Sequence, residues 1–207
     1  MAYRYGEIAF TDRVKAVQEE MGSRSAYARR EANVAGTAGL DAALGSDAAA
    51  FIAARDSFYM ATVSESGWPY IQHRGGPAGF VRVLDERTLG FADFGGNRQY
   101  VSVGNLAGDD RVALFFMDYA NQARLKMFGR ARTVPAEDAD TLARLAVPGY
   151  RARVERGVLI AVEAFDWNCS QHITPRYTLV EVEAATAALR RRIAELEAER
   201  AAGATSR

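Results

Sequence analysis

The chain has 207 residues, 26 basic and 26 acidic side chains and no formal net charge. Hydrophobic residues make up 49% and charged residues 25%, which excludes a disordered or fibrous chain and fits one domain with appendages. The neutral balance argues against a general nucleic-acid binder, although Lys15 and Lys126 are the only lysines and the other 24 basic residues are arginines, the better forked binder of phosphate.

Residues 1 to about 56 read as helical and alanine-rich. Thr11 can cap a helix that carries Val14, Val17 and Met21 at helical spacing. Gly36, Gly39 and Gly45 break the pattern, and Ser46-Asp47 opens a second short helix with Phe51 and Ile52 on its apolar side. From Phe58 to Phe165 the signal changes to short runs of β-branched and aromatic residues. FYMATV, the turn SESGWP and YIQHR are followed by a break at GGPAG. FVRVL and TLGFA flank DER as a hairpin, and RVALFFM, ARLKMFGRART and GVLIAVEAF complete about seven strands. No regular strand–helix alternation is present, so an antiparallel sheet curled into a small barrel is expected. Two helices interrupt it, one from Asn97 and one over 136–146 after Pro135.

The last zone, 177–207, carries Val182, Leu189, Ile193 and Leu196 at heptad-like spacing, with Arg190, Arg191 and Arg192 before Glu195, Glu197 and Glu199. It reads as an amphipathic helix of about two heptads, packed either on its own domain or on a second chain. No apolar run approaches the roughly 18–20 residues of a membrane-spanning helix. MAYRYGEIAF lacks the pattern of a signal peptide, so a reducing cytoplasm is the expected location.

Most catalytic signatures are missing. The sequence has no P-loop, no G-x-S-x-G elbow and no H-E-x-x-H helix. One cysteine (Cys169) and two histidines (His73 and His172) do not supply a zinc site. Four stretches could bind an anion or a flat ring. In GFADFGGNRQY, Gly95 and Gly96 allow close approach, and Asn97 and Arg98 at a helix start suit a phosphate. In YIQHRGG, Gln72 and Arg74 share one face of a strand and His73 takes the other. In NQARLKMFG, Gln122, Arg124 and Lys126 form a cationic row, to be met by a phosphate or by solvent. FDWNCSQHITPRY gathers an indole, two amides and a histidine after the last strand, a composition suited to stacking on a ring and reading its polar edges.

The ordered set GWPYIQHRGG, GFADFGGNRQYVSVGNL, RVALFF, NQARLKMFG and DWNCSQHITPRY resembles the pyridoxamine 5′-phosphate oxidase-like split-barrel flavoproteins, and within them the predicted flavin-nucleotide-binding subgroup. The resemblance implies a mainly β chain with flanking helices (α+β). Residues 1–46 would form an N-terminal helical extension, 47–177 a six-stranded antiparallel FMN-binding split barrel, and 178–207 a C-terminal amphipathic helix. It implies FMN as cofactor and a homodimer with a flavin site at each side of the interface. Cofactor contacts are implied at Gln72, His73, Arg74 and Gly75 along one strand, and at Ala92, Asp93, Asn97, Arg98 and Gln99 at the following strand end and turn. Arg124 would reach across the interface, with Trp167 and Gln171 closing over the flavin from the partner.

Two departures stand out. The phosphate turn offers Asn97-Arg98-Gln99 in place of the family's Arg/Lys pair, and a heptad-like helix replaces its C-terminal Arg–His segment. The expected function is therefore an FMN-dependent oxidoreductase acting on a small molecule other than pyridoxamine phosphate. His73 and His172 are candidates for proton transfer. The alternatives are a non-catalytic flavin-binding or sensing module, or a split barrel that uses a deazaflavin coenzyme or haem.

Overall fold

A computed structural model describes residues 3–34, 42–167 and 170–205. The expected break at Gly36 and Gly39, and Cys169, lie outside these residues. The chain divides into two compact units. One comprises 1–118 and 123–170, the other 119–122 and 171–207.

The first unit opens with three helices, α1 (Arg4–Ala9), α2 (Asp12–Glu20) and α3 (Arg24–Val34). Thr11 caps α2 as its side chain accepts the Val14 N–H. Val14, Val17 and Met21 are nevertheless exposed, so their helical spacing marks no core face. After α4 (Ser46–Ala53), strands β1 (Ser57–Val63), β2 (Pro69–Gly75), β3 (Val81–Asp85) and β4 (Thr88–Phe94) follow in succession. Helix α5 (Val101–Gly108) precedes β5 (Arg111–Asp118) and β6 (Ala123–Val134), and α6 (Ala139–Leu145) precedes β7 (Val154–Trp167). Helix α6 starts three residues later than Pro135 suggested, because Asp138 takes the cap by accepting the Thr141 N–H.

All seven strands join one antiparallel sheet in the order β2-β1-β5-β6-β7-β4-β3. This corrects the six-stranded count: the residues themselves divide into seven runs, and the β3–β4 hairpin supplies a full edge strand. The sheet does not close by hydrogen bonds, since β2 and β3 are its two ends. It curls, however. Alternation puts Phe58 and Met60 of β1, Val112, Leu114 and Phe116 of β5, and Leu125 and Met127 of β6 on one side, all buried. Phe58 stacks on Phe116 at 5.0 Å and meets Phe91 of β4 edge-on at 5.4 Å, although β1 and β4 are not neighbours in the sheet. The rings therefore bridge across a concave core, which α4 covers with Ile52.

The opposite face carries α1. Tyr3 and Tyr5 pack with Ala164 and Phe128, and Tyr5 stacks on Phe128 at 5.2 Å. Beyond α1 this face is apolar and open, with two cavities of about 380 Å³ each that share Ala61, Ala113 and Phe128.

In the second unit, the Gln122 side chain donates to the Ile173 carbonyl at 2.7 Å and Arg176 lies over the Tyr119 ring. Helix α7 (Leu179–Thr205) runs for 27 residues. Thr178 and Glu181 form a reciprocal capping box at its start: Thr178 N–H donates to the Glu181 carboxylate, and Glu181 N–H donates to the Thr178 hydroxyl.

Candidate functional site

The sequence from Pro69 to Gly75 has the period of a strand, and pairing with β1 sets Gln72 opposite Met60 and Arg74 opposite Phe58. Gln72 and Arg74 thus share the core-side face at the sheet's end, whereas His73 points to the other face and packs against Tyr59 at 5.6 Å. On β4, Asp93 pairs in register with Arg156 of β7. The curl of the sheet then brings β2 to β4, and Arg74 reaches Asp93 at 2.5 Å while Arg156 approaches its other oxygen at 3.4 Å.

A cavity of about 200 Å³ opens beside this triad, lined by Gln72, Arg74 and Asp93, by Gly96, Asn97 and Arg98 of the turn, and by Tyr100, Ser102 and Glu155. Ser102 in the first turn of α5 donates to the Gln72 side-chain oxygen Oε1 at 2.8 Å and so fixes that amide. The helix begins at Val101, not at Asn97. Asn97 instead turns the chain, its side chain accepting the Gln99 N–H at 3.1 Å. Arg98 and Tyr100 both take left-handed backbone (φ 60° and 54°), a conformation that costs non-glycine residues energy and clusters at functional turns. A Cβ at Gly96 would meet nothing within 4 Å, so the wall there is open to a ligand.

The electrostatics favour a small anion. Burial pushes the Asp93 carboxyl above the ordinary carboxylate value even against Arg74 and Arg156. The Arg74 Nε–H is buried without a hydrogen-bond acceptor, while the buried Arg156 Nε–H makes no hydrogen bond and faces Asp93 only at the ion-pair distance of 3.4 Å. A buried unpaired donor is costly, and a ligand oxygen beside Arg74 would relieve that cost. Arg98 is exposed, and its Nε donates to the Tyr100 hydroxyl, leaving the rest of its fork for a ligand. These residues fit a phosphate group.

Six of the residues named from sequence, Gln72, Arg74, Asp93, Gly96, Asn97 and Arg98, line this one cavity. Ala92 is buried beside Asp93 in β4, Gln99 is exposed, and Gly75 sits against His73, where a Cβ would lie 3.1 Å from the imidazole. Arg124 and Lys126 alternate with the core residues Leu125 and Met127, and so face the α1 side, away from the core; the Arg124 Nε is buried and unpaired. Trp167 lies opposite Leu125 and packs edge-on against Phe51 at 4.8 Å. Gln171 belongs to the second unit. Sequence reasoning missed Arg156, Glu155, Tyr100 and Ser102. The strand begins at Val154, before the apolar run from Gly157, and so includes Arg156, whose place opposite Asp93 follows only from the β4–β7 register.

Among the described residues, no cluster of His, Cys, Asp and Glu is arranged to hold a metal ion, and no helix is long and apolar enough to cross a membrane.

No curated protein matches the sequence. Among solved structures, a HupZ variant of Group A Streptococcus is 18% identical, with 60% of this chain covering 99% of that one at a TM-score of 0.47. An FMN-binding protein from Syntrophomonas wolfei is 10% identical over 70% of this chain and 96% of that one, at a TM-score of 0.47. An F420 reductase is 17% identical over 56% and 93%, at 0.42. The sequence model described as pyridoxamine 5′-phosphate oxidase matches residues 44–199, which span the whole sheet and most of α7. By that match over more than half its length, the chain belongs to the pyridoxamine 5′-phosphate oxidase family.

Proposed function

We propose that the chain is an FMN-dependent oxidoreductase that acts on a small molecule and works as a homodimer. The observation that carries this reading is the cavity where Arg74, with a buried unpaired Nε–H, meets Asn97, Arg98 and the first turn of α5. In this reading Gln72, Arg74, Asn97 and Arg98 hold the phosphate end of the flavin. His73 and Gly75 run beside it on β2, and Ala92, Asp93 and Gln99 line the strand end and turn. The open seven-stranded sheet is the family's split barrel, with 47–177 as its flavin-binding domain and 1–46 and 178–207 as extensions.

Family membership supports a flavin, and FMN, when bound, supplies hydride and single-electron transfer. The protein's residues bind, orient and limit solvent access. The apolar face around Ala61 and Ala113 supports a second copy, because a contiguous exposed apolar patch marks an interface. In that dimer Arg124, Trp167 and Gln171 act on the partner's flavin. A single cysteine fits a reducing compartment, the cytoplasm.

The test is the absorption spectrum of the purified protein. Oxidised-flavin bands, retained on gel filtration and identified as FMN after release, are the expected result. A colourless protein that takes up no added FMN overturns the proposal, as does a haem or deazaflavin spectrum. Turnover by the loaded protein with a nicotinamide donor or oxygen then separates an enzyme from a flavin-binding module.

A further inference from the structure

We propose that α7 is one strand of a parallel two-stranded coiled coil, whose other strand is α7 of a second copy of this chain. The proposal stands on the helix itself and does not rest on the flavin reading.

The capping box at Thr178 fixes where the helix starts, and 27 residues at 1.5 Å each give a rod of about 40 Å. Counting from that start, Leu179, Thr186 and Ile193 occupy the first position of successive heptads, and Val182, Leu189 and Leu196 the fourth. These two positions make the seam of a coiled coil. The apolar members of that seam are exposed, with Leu189 at 67% and Ile193 at 55%. Among the described residues of its own unit nothing covers this stripe, and an apolar helix stripe calls for a packing partner.

Three features name the partner. A seam of this spacing is complementary to itself, because each side chain fits the hole formed by the same positions of an identical helix. β-Branched Ile193 at the first position with Leu189 and Leu196 at the fourth favours two strands over three. The flanking charges agree with a parallel, in-register pair. In that arrangement Arg192 faces Glu197 of the other helix, one heptad further on, and the two-fold axis repeats the pair. The other flanking charges of the apolar heptads, Glu183 and Arg190, meet Thr178 and Ala185, and like charges oppose each other only beyond Leu196, where Arg200 continues the first position. Within its own helix Arg192 holds Glu195 at 2.9 Å, an exposed contact that can exchange for Glu197 on pairing. The apolar seam covers fewer than three heptads, too short to hold two free chains firmly. It pairs once another contact has raised the local concentration.

The experiment uses the full chain with Cys169→Ser and a single new thiol under mild oxidation, read as covalent dimer on a non-reducing gel. Leu196→Cys places the thiol in the seam, and Ala198→Cys places it on the outer face two residues away. Leu196→Cys is expected to cross-link at least about tenfold faster, since the seam holds the two thiols at high effective concentration. Leu189→Cys is a second seam position for the same comparison. Adding Arg192→Glu should slow the seam cross-link, and Arg192→Glu with Glu197→Arg should restore it. Equal rates at 196 and 198, faster reaction at 198, or no recovery on charge exchange overturns the parallel coil. Loss of flavin binding without change in these rates bears on the proposed function alone.

Discussion

Asp93→Asn separates what the carboxylate does for the fold from what it does to a ligand. In the structure Asp93 is 7% exposed and lies between Arg74 and Arg156. Each pair at roughly 4 Å between charge centres is worth at most about 4 kcal/mol at an effective dielectric of 20, before the cost of burying the charges. That cost is substantial, since burial is the largest influence on the Asp93 carboxyl and, together with Glu155, raises it against both arginines. An asparagine keeps a hydrogen-bonding side chain and avoids burying the anion, so the net loss of stability is about 1–3 kcal/mol. For a chain of this size that lowers the melting temperature by about 2–4 °C per kcal/mol. The effect on a bound phosphate has the opposite sign. Removing a unit charge about 6 Å from the anion relieves about 1–3 kcal/mol of repulsion, or a five- to 150-fold gain in affinity. The assay is FMN titration by fluorescence quenching, with thermal melts with and without FMN. The expected result is a less stable apoprotein that binds FMN more tightly. A folded variant that binds FMN more weakly would refute the assignment of the phosphate to this cavity.

Arg98→Ala should weaken FMN binding by about tenfold or more, since it removes a charge-assisted phosphate contact, while Arg191→Ala on α7 leaves the affinity unchanged; equal effects in the same titration sink the proposed cradle. Asp109 is held down to about 2 by its side-chain hydrogen bond with Arg111. Its folded value lies below the ordinary 3.8, so it adds stability that is lost as pH falls from about 4 towards 2. Asp109→Asn should flatten that part of a melting-temperature profile, and an unchanged acid limb counts against the pair. Gly129 stands at the β6–β7 bulge, where a Cβ would lie 2.7 Å from the Ala161 carbonyl oxygen. Gly129→Ala should cost about 1–3 kcal/mol through overpacking, measured by denaturant unfolding, and a neutral substitution shows that the bulge can open.

The strands were legible because burial on one side imposes a period of two. FYMATV, RVALFFM and the start of ARLKMFGRART each place alternate residues in the core, and the structure buries Phe58, Met60, Leu114, Phe116, Leu125 and Met127 accordingly. Helical spacing was a weaker guide. Val14, Val17 and Met21 have the right intervals and a true cap, yet they are exposed, because periodicity says which residues share a face and not whether anything covers it. The start of α5 was misplaced for a chemical reason. An asparagine oxygen that accepts an N–H further along can cap a helix or close a turn, and at Asn97 it closes a turn two residues long. Nothing local in GGNRQY distinguishes the two, since the decision rests on Arg98 and Tyr100 accepting left-handed backbone.

The site divides along the same line. Parity alone separated Gln72 and Arg74 from His73, and the structure keeps them on opposite faces. Parity cannot say which cations converge from strands distant in sequence. Arg74 and Arg156 meet at Asp93 because the sheet curls β2 onto β4 and because β7 pairs with β4 in one register. A one-residue slip would turn Arg156 to the other face and leave Asp93 with one cation. The neutral composition conceals this, since a pocket for one phosphate needs only a small local excess of positive charge. Arg74, Arg98 and Arg156 against Asp93 and Glu155 provide it. Sequence can nominate arginines at strand and turn positions, but the fold decides which of their N–H groups remain buried without an acceptor, and those are the groups a ligand can use.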